Sequence, residues 1–466
     1  MKNKTVYGWL AALLVQSIFV GWSGAFAIDP AVTDGHLFWG RNRAASTNKG
    51  HLKTEQPDPS NQSLSFFQEQ NLVPPILLKR EELQAGNPLA TYSAMLDLEP
   101  QYLKSRSFED FYRQTRFNFE EFMGLPLAGV QAMSLPSLRL GKPSVETPIP
   151  KSYVAENALT VVAREARKTR LVIWGEEHHL PQTRSLYEAL LRLLWKQGYR
   201  YLAAETFDDS VMSTDFRYPE FRSGYYTLDP VFAAAVRTAR GLGYKLIAYE
   251  TKERGPVGDD SFRDRTQAEN IKARIFDPDP QAKVFIIAGR LHASETPPRG
   301  GWTPMASVLK KLTGINPFTL YAPTMSQRQT PEEEDPYYRF ATSHGLVKEP
   351  TIFVDNVNGQ FLGFEEYCDA YVFWPRIVVR EGRPDWMVKA MGRKPVRIPR
   401  QLLRGPGLRL VQVFSEGEPA SSIPIDQVLI DEQGDRKALM LPKGRFWLRT
   451  IDRNSRVIAK ATTQRR

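Results

Sequence analysis

Cysteine is almost missing from this chain. Its 466 residues include one, Cys368, so no internal disulfide can hold the fold. Histidine is scarce too: there are six, and two of them, His178 and His179, stand side by side. No G-x-S-x-G elbow occurs, which argues against a serine nucleophile on a strained strand-to-helix turn. No sequence repeat of fixed period occurs. Beyond the N-terminus no apolar run is long enough to cross a membrane, so the chain reads as not membrane-spanning. The formal charge of +10 is spread through the chain, and Arg393-Lys394 and Arg465-Arg466 are short clusters, not a stripe. A solvated basic surface follows, and no nucleic-acid partner.

What is present begins with an address. Lys2 and Lys4 precede a largely apolar stretch, Val6 to Val20, and Ala25-Phe26-Ala27 is an A-x-A site. This three-part pattern predicts a cleavable signal peptide over 1–27, cut after Ala27. No cysteine stands at the cleavage point, so the product is not a lipoprotein. A periplasmic or secreted protein is expected. The hydrophobic content of 42% and the length suffice for two or three domains.

Residues 28–145 read as a helical and irregular region, with one aromatic-rich helix at SFEDFYRQTRFNFEEFMG and loop-like Pro/Ser/Asn segments around it. Residues 146–400 read as an α/β core. Helical and wholly apolar stretches alternate there: RLVIWGE, YRYLAAETF, YKLIAYE, KVFIIAG and INPFTLYAP are strands. Unbroken apolar strands imply a mostly parallel sheet with helices on both faces. Asp229-Pro230 reads as a cap and first turn, Asp260 or Ser261 as another cap, and PEEEDP as a solvated loop. EYCDAYVFWPRIVV is one more buried strand candidate. Residues 401–466 change style to short strands between Gly and Asp turns, a small all-β, sandwich-like domain.

The polar residues fall where these strands end. Gly175-Glu176-Glu177-His178-His179 closes the first strand. Glu205 closes the second, Glu250 the third, and Gly289-Arg290-Leu291-His292 the fourth. In a parallel sheet these ends share one rim, and ligands of open α/β folds bind there. Of the adjacent histidines one is expected to enter the site, and Glu177 to face water. On SFRDRTQAENIKARIF, Arg265 reads as lying on the apolar face with Ala268 and Ile271. There it would bind an anion or orient a carboxylate, unless it forms a surface ion pair.

At these residues the sequence resembles a superfamily. It joins ChaN-like haem-binding proteins, erythromycin-esterase-like hydrolases and Tiki/TraB-like metalloproteases, and the ChaN-like branch is closest in motif pattern. GEEHHLPQTR matches G-E-x-H-x-x-P-x-x-[RHQ]. A strand-end Glu205 follows, then a helix with Arg265, Ala268 and Ile271, then Gly289 to His292. The match covers roughly residues 150 to 325 and does not reach the N-terminal region or the β domain. The resemblance implies Glu176, His178, Glu205, Arg265 and His292 as site residues. The activities within the superfamily diverge, so kinship alone does not choose one.

Two chemistries suit this set. One is hydrolysis of an ester or peptide bond in a small-molecule or peptide substrate. Glu176, His178, Glu205 and His292 would hold Zn, Mn or Co with an open position for water. Without a metal, His178 would act as general base on water with Arg265 steadying charge. The other is haem or iron binding, for which Tyr225-Tyr226 and Tyr337-Tyr338, read as loops, are further ligand candidates. A non-catalytic scaffold is the third reading.

Overall fold

The alternating stretch does fold as a parallel sheet. In the computed structural model its strands are β1 (Leu171–Glu176), β2 (Tyr201–Ala204), β3 (Lys245–Ala248), β4 (Val284–Gly289), β5 (Phe318–Tyr321) and β6 (Ala370–Tyr371). Their order is β3-β2-β4-β1-β5-β6, and every pairing is parallel. All six residues of β1 and of β4 are buried, as unbroken apolar strands require. The structure describes residues 73–104, 106–135, 146–253, 255–256, 258–297, 301–363, 367–431 and 437–466. The expected signal peptide over 1–27 lies outside them. Among the described residues no helix is long and apolar enough to cross a membrane.

The helices that concern the site are α1 (Arg106–Phe122), α2 (Ala158–Glu165), α3 (Tyr187–Lys196), α4 (Pro230–Leu242), α5 (Phe262–Ile271) and α6 (Met305–Thr313). Of these, α3 and α4 lie on one face of the sheet and α5 and α6 on the other. Leu171, Ile173, Val284 and Ile286 pack with Ala268 and Ile271 of α5 and Met305 and Leu309 of α6. Trp174, of opposite parity on β1, meets Tyr187 of α3 edge-on at 6.0 Å, and Tyr187 meets Phe232 of α4 at 5.7 Å. Alternate residues of one strand thus anchor different helix layers.

Local chemistry sets most helix ends. The Asp229 carboxylate accepts the Val231 N–H at 2.9 Å, with Pro230 in the first turn, and Gly243 at φ +95° closes α4. The expected cap on α5 is not made. Ser261 has no capping bond, and its hydroxyl accepts the Thr303 N–H instead, tying α5 to the approach of α6.

Residues 326–400 depart from the sequence reading in detail. The buried strand candidate shrinks to Ala370–Tyr371 at the sheet edge. Thr351–Asp355 pairs antiparallel with Tyr153–Asn157. In PEEEDP the leading residues are exposed, but Glu334 is buried because Arg376 clasps both its oxygens, at 2.7 and 2.6 Å. Tyr225-Tyr226 and Tyr337-Tyr338 are not open loops. Tyr226 starts a buried 3-10 turn, and Tyr337 and Tyr338 lie in the helix Pro336–Ser343.

The C-terminal part is all-β. Strands β7 (Arg409–Ser415), β8 (Asp426–Ile430), β9 (Gly444–Asp452) and β10 (Val457–Arg465) form an antiparallel sheet in the order β8-β7-β9-β10. The pair Lys394–Arg397 and Ala438–Leu441 closes over it, with Val411, Val413, Val428, Leu439, Leu441 and Leu448 between. This layer therefore starts before residue 401. It joins the helices directly: the Gln427 amide donates to the Phe122 carbonyl at 2.8 Å, and the Leu429 N–H to the Met123 carbonyl at 2.9 Å.

Candidate active site

The sheet register builds the rim. Glu176 pairs with Gly289 across β1 and β4, and Ala204 pairs with Ile287 across β2 and β4. Glu205, one residue past β2, therefore arrives beside Gly289 and donates its own N–H to the Ile287 carbonyl. Strand order, not sequence distance, makes Glu176, Glu205 and His292 neighbours.

Glu176 is buried and fully engaged. It accepts from His178 Nδ1 at 3.0 Å, from Arg184 at 3.1 and 3.2 Å, and from the Tyr187 hydroxyl at 2.5 Å. Burial pushes its carboxyl up, but Arg184 and His178 outweigh burial and hold it at about 2. The carboxylate is ionised and can only accept. His178 therefore donates through Nδ1, which leaves the Nε2 lone pair facing the rim. Arg184 also binds Asp229 at 2.9 Å and the His178 carbonyl at 2.9 Å. Tyr226 stacks on the His178 ring at 4.1 Å with an interplanar angle of 9°. The Glu176 bond and the Tyr226 stack thus fix the imidazole plane. Its side chain keeps 19% of its surface exposed, more than Glu205 or His292.

A second network faces it. Arg263 donates to Glu205 at 2.7 Å, to both oxygens of Glu250, and to His292 Nε2 at 2.8 Å. A guanidinium has no acceptor, so His292 Nε2 accepts and its Nδ1 proton goes to Asp264 at 2.6 Å. Asp264 is held in turn by the Trp302 indole N–H at 2.9 Å and the Met305 N–H at 2.7 Å. Burial and Arg263 oppose protonation of His292, yet Asp264 and Glu205 outweigh them and raise its proton affinity. Burial pushes the Glu205 carboxyl up, but Arg263 and His292, with the Gly289 N–H, bring it well below the usual range.

The two networks meet over Gly289. A methyl group there would lie 3.0 Å from His178 Nε2, 3.1 Å from Glu205 Oε2 and 3.3 Å from His292 Cδ2. Its φ of −58° suits any residue, so glycine is needed here for space alone.

Of the sequence-predicted residues, Glu176, His178, Glu205 and His292 come together. Arg265 does not join them. Its side chain is 42% exposed, pairs with Asp259 at 2.6 Å and lies over Phe262. The arginine at the rim is Arg263, on the i, i+4, i+8 row with Gln267 and Ile271, and that row was the available signal. Arg184 was equally readable as the last position of GEEHHLPQTR. Tyr187, Asp229 and Asp264 had no local signal, because each acts across the fold. Glu250, two residues past β3, accepts from Arg263 and, at 3.0 Å, from the Gln267 amide. Glu177 does not face water: it is buried with His179 beside Arg290. Burial holds the His179 ring at about 4, so it is neutral.

The donors do not suit a metal ion as they stand. Both oxygens of Glu176 and of Glu205 and both nitrogens of His292 are already bonded, and two arginines stand among them. A dication would have to displace a guanidinium and would be repelled by it. Among the described residues no cluster of metal-ligating side chains has metal-binding geometry. Haem fits no better. Paired charges and Tyr226 surround His178, where a porphyrin needs a flat apolar cleft.

No family model matches the chain, and no curated protein matches it. It is similar to the solved structure of the type III effector HopBA1, at 13% identity and a TM-score of 0.25, over 40% of this chain and 95% of that one. It is also similar to the solved structure of the C-terminal region of Pasteurella multocida toxin, described as having a thiol-protease-like catalytic triad. That likeness has 10% identity and a TM-score of 0.27, over 87% of this chain and 65% of that one.

Proposed function

We propose that the chain is a hydrolase of ester or peptide bonds that activates water without a metal ion. The observation that carries this reading is the Glu176–His178 pair, with Nδ1 committed at 3.0 Å and Nε2 free over Gly289. A water on Nε2 gives up its proton as its oxygen bonds to the scissile carbonyl carbon. Glu176 stabilises the imidazolium that forms, and Arg184 and Tyr187 keep Glu176 in place. Arg263 supplies the positive charge on the side where the carbonyl oxygen gathers negative charge. When the C–O or C–N bond breaks, the proton on His178 passes to the departing oxygen or nitrogen. The products are a carboxylic acid and an alcohol or amine. The N-terminal lysines, apolar stretch and A-x-A site support export, so the substrate is a small molecule or peptide met in the periplasm or outside the cell.

The test is turnover of activated esters and a peptide panel by the purified chain, with and without a chelator. His178→Ala should cut turnover by roughly 100-fold or more while the circular dichroism spectrum is kept. Unchanged turnover in His178→Ala sinks the reading. Activity lost to chelator and restored by Zn would return the metal-dependent mechanism. A Soret band in the purified protein would favour haem binding.

A further inference from the structure

Glu177 and His179 alternate with Glu176 and His178 along the chain and turn to the other side of the β1 end. There Glu177 meets Arg290, from the 3-10 turn Arg290–Ala293 after β4, and lies within electrostatic reach of Arg328, from the segment after β5. The groups in this second cluster are poorly matched. Arg290 approaches Glu177 Oε2 only at 3.5 Å, beyond a good charge-assisted bond. Arg328 is 2% exposed, yet its Nε and Nη1 have no hydrogen-bond partner, and its Nη2 reaches only the Pro323 carbonyl at 3.4 Å. Glu177 Oε2 and His179 Nδ1 have no hydrogen-bond partner either. The nearby Glu334 carboxylate is taken by Arg376. Burial brings the Arg328 guanidinium down to about 10, so it stays charged at neutral pH. Two guanidinium groups thus face one carboxylate in a place where charges need partners.

We propose that Arg290 and Arg328 bind the carboxylate or phosphate group of a substrate, on the side of β1 opposite His178. Arg328 offers two unpartnered nitrogens, Nε and Nη1, on different edges of one planar guanidinium, and their N–H groups are charge-assisted donors that suit such oxyanions. Arg290 and His292 stand on one 3-10 turn, about 4 Å of rise apart. The anionic group and the scissile bond therefore belong to one short molecule. This assignment rests on the hydrolase reading for the role of the anion, though not for its binding.

The test has two arms. In the first, inorganic phosphate is titrated calorimetrically into the wild type, His178→Ala, Arg328→Met and Arg290→Gln. Saturable binding is expected in the first two, roughly 10- to 100-fold weaker in either arginine variant, as loss of a charged hydrogen-bonding partner implies. No saturable binding in the wild type, or undiminished binding in both arginine variants, overturns the site. If Arg328→Met does not fold, Arg290→Gln decides. In the second arm, kcat/KM is compared for para-nitrophenyl acetate and para-nitrophenyl hydrogen succinate. A loss in Arg328→Met confined to the anionic ester supports the substrate role. An equal effect on both esters shows a free anion only and overturns that role. No turnover of either ester, with phosphate binding still dependent on Arg328, refutes the hydrolase and upholds the anion site.

Discussion

Gly289→Ala is the sharpest test of the rim, because it adds one methyl group where three side chains converge. The added carbon meets His178 Nε2 at 3.0 Å, Glu205 Oε2 at 3.1 Å and His292 Cδ2 at 3.3 Å. All three are tighter than ordinary contact. The backbone does not resist the change, since φ is −58°. Overpacking costs about 1–3 kcal/mol. The smaller entropy of the unfolded alanine chain returns about 0.4–1 kcal/mol. The net loss of stability is therefore roughly 0–3 kcal/mol, small enough for the variant to fold. The rate should suffer more. Water on Nε2 would share its space with the methyl, and a displacement of about 1 Å at reacting groups costs about 100-fold. The assay is kcat/KM on the best ester found for the wild type, beside a thermal melt of both proteins. Wild-type turnover in a folded Gly289→Ala would refute the claim that the reaction takes place at this convergence.

Other expectations follow from the same geometry. Arg263→Met should lower turnover at least ~100-fold, because it leaves Glu205 and Glu250 unpaired and releases His292. Arg265→Ala should stay within about twofold, since its ion pair is exposed; the reverse pattern in steady-state kinetics would restore the first reading of the α5 arginines. Stability should fall in acid. The Glu176 carboxyl is held at about 2 against an ordinary 4.5, so it contributes ~3 kcal/mol that is fully present above 4.5 and lost as pH falls through 2. Glu176→Gln should be destabilised at neutral pH and lose much of that acid dependence in pH-resolved chemical denaturation. An identical pH slope in both proteins would show that Glu176 does not carry this linkage.

Much of this protein is legible in its sequence, and the boundary has a physical basis. Unbroken runs such as LVIWG and VFIIAG announce strands buried on both faces, because solvent on either face would select alternation. Asp229-Pro230 and Gly243 mark the ends of α4 because caps act within one turn. Carboxylates and imidazoles at successive strand ends announce a rim, because parallel strands end on one side. These are local properties, and local chemistry decides them. Pairing is not local. Arg263 and Arg265 are two positions apart on one helix, about 200° around its axis. Only the docking of α5 against β4 decides which of them enters the rim. His178 and His179 are adjacent, and only the turn after β1 sends one to Glu176 and the other to Arg290. Glu177 looked solvated, and the packing of the segment after β5 buried it. Above all, the order β3-β2-β4-β1-β5-β6 sets β4 between β1 and β2, so that Gly289 lies between Glu176 and Glu205. Residue types and strand ends were decided by the chain itself. The partners of each charge were decided by the sheet, because a buried ion takes whatever the neighbouring strand and helix bring within hydrogen-bond reach.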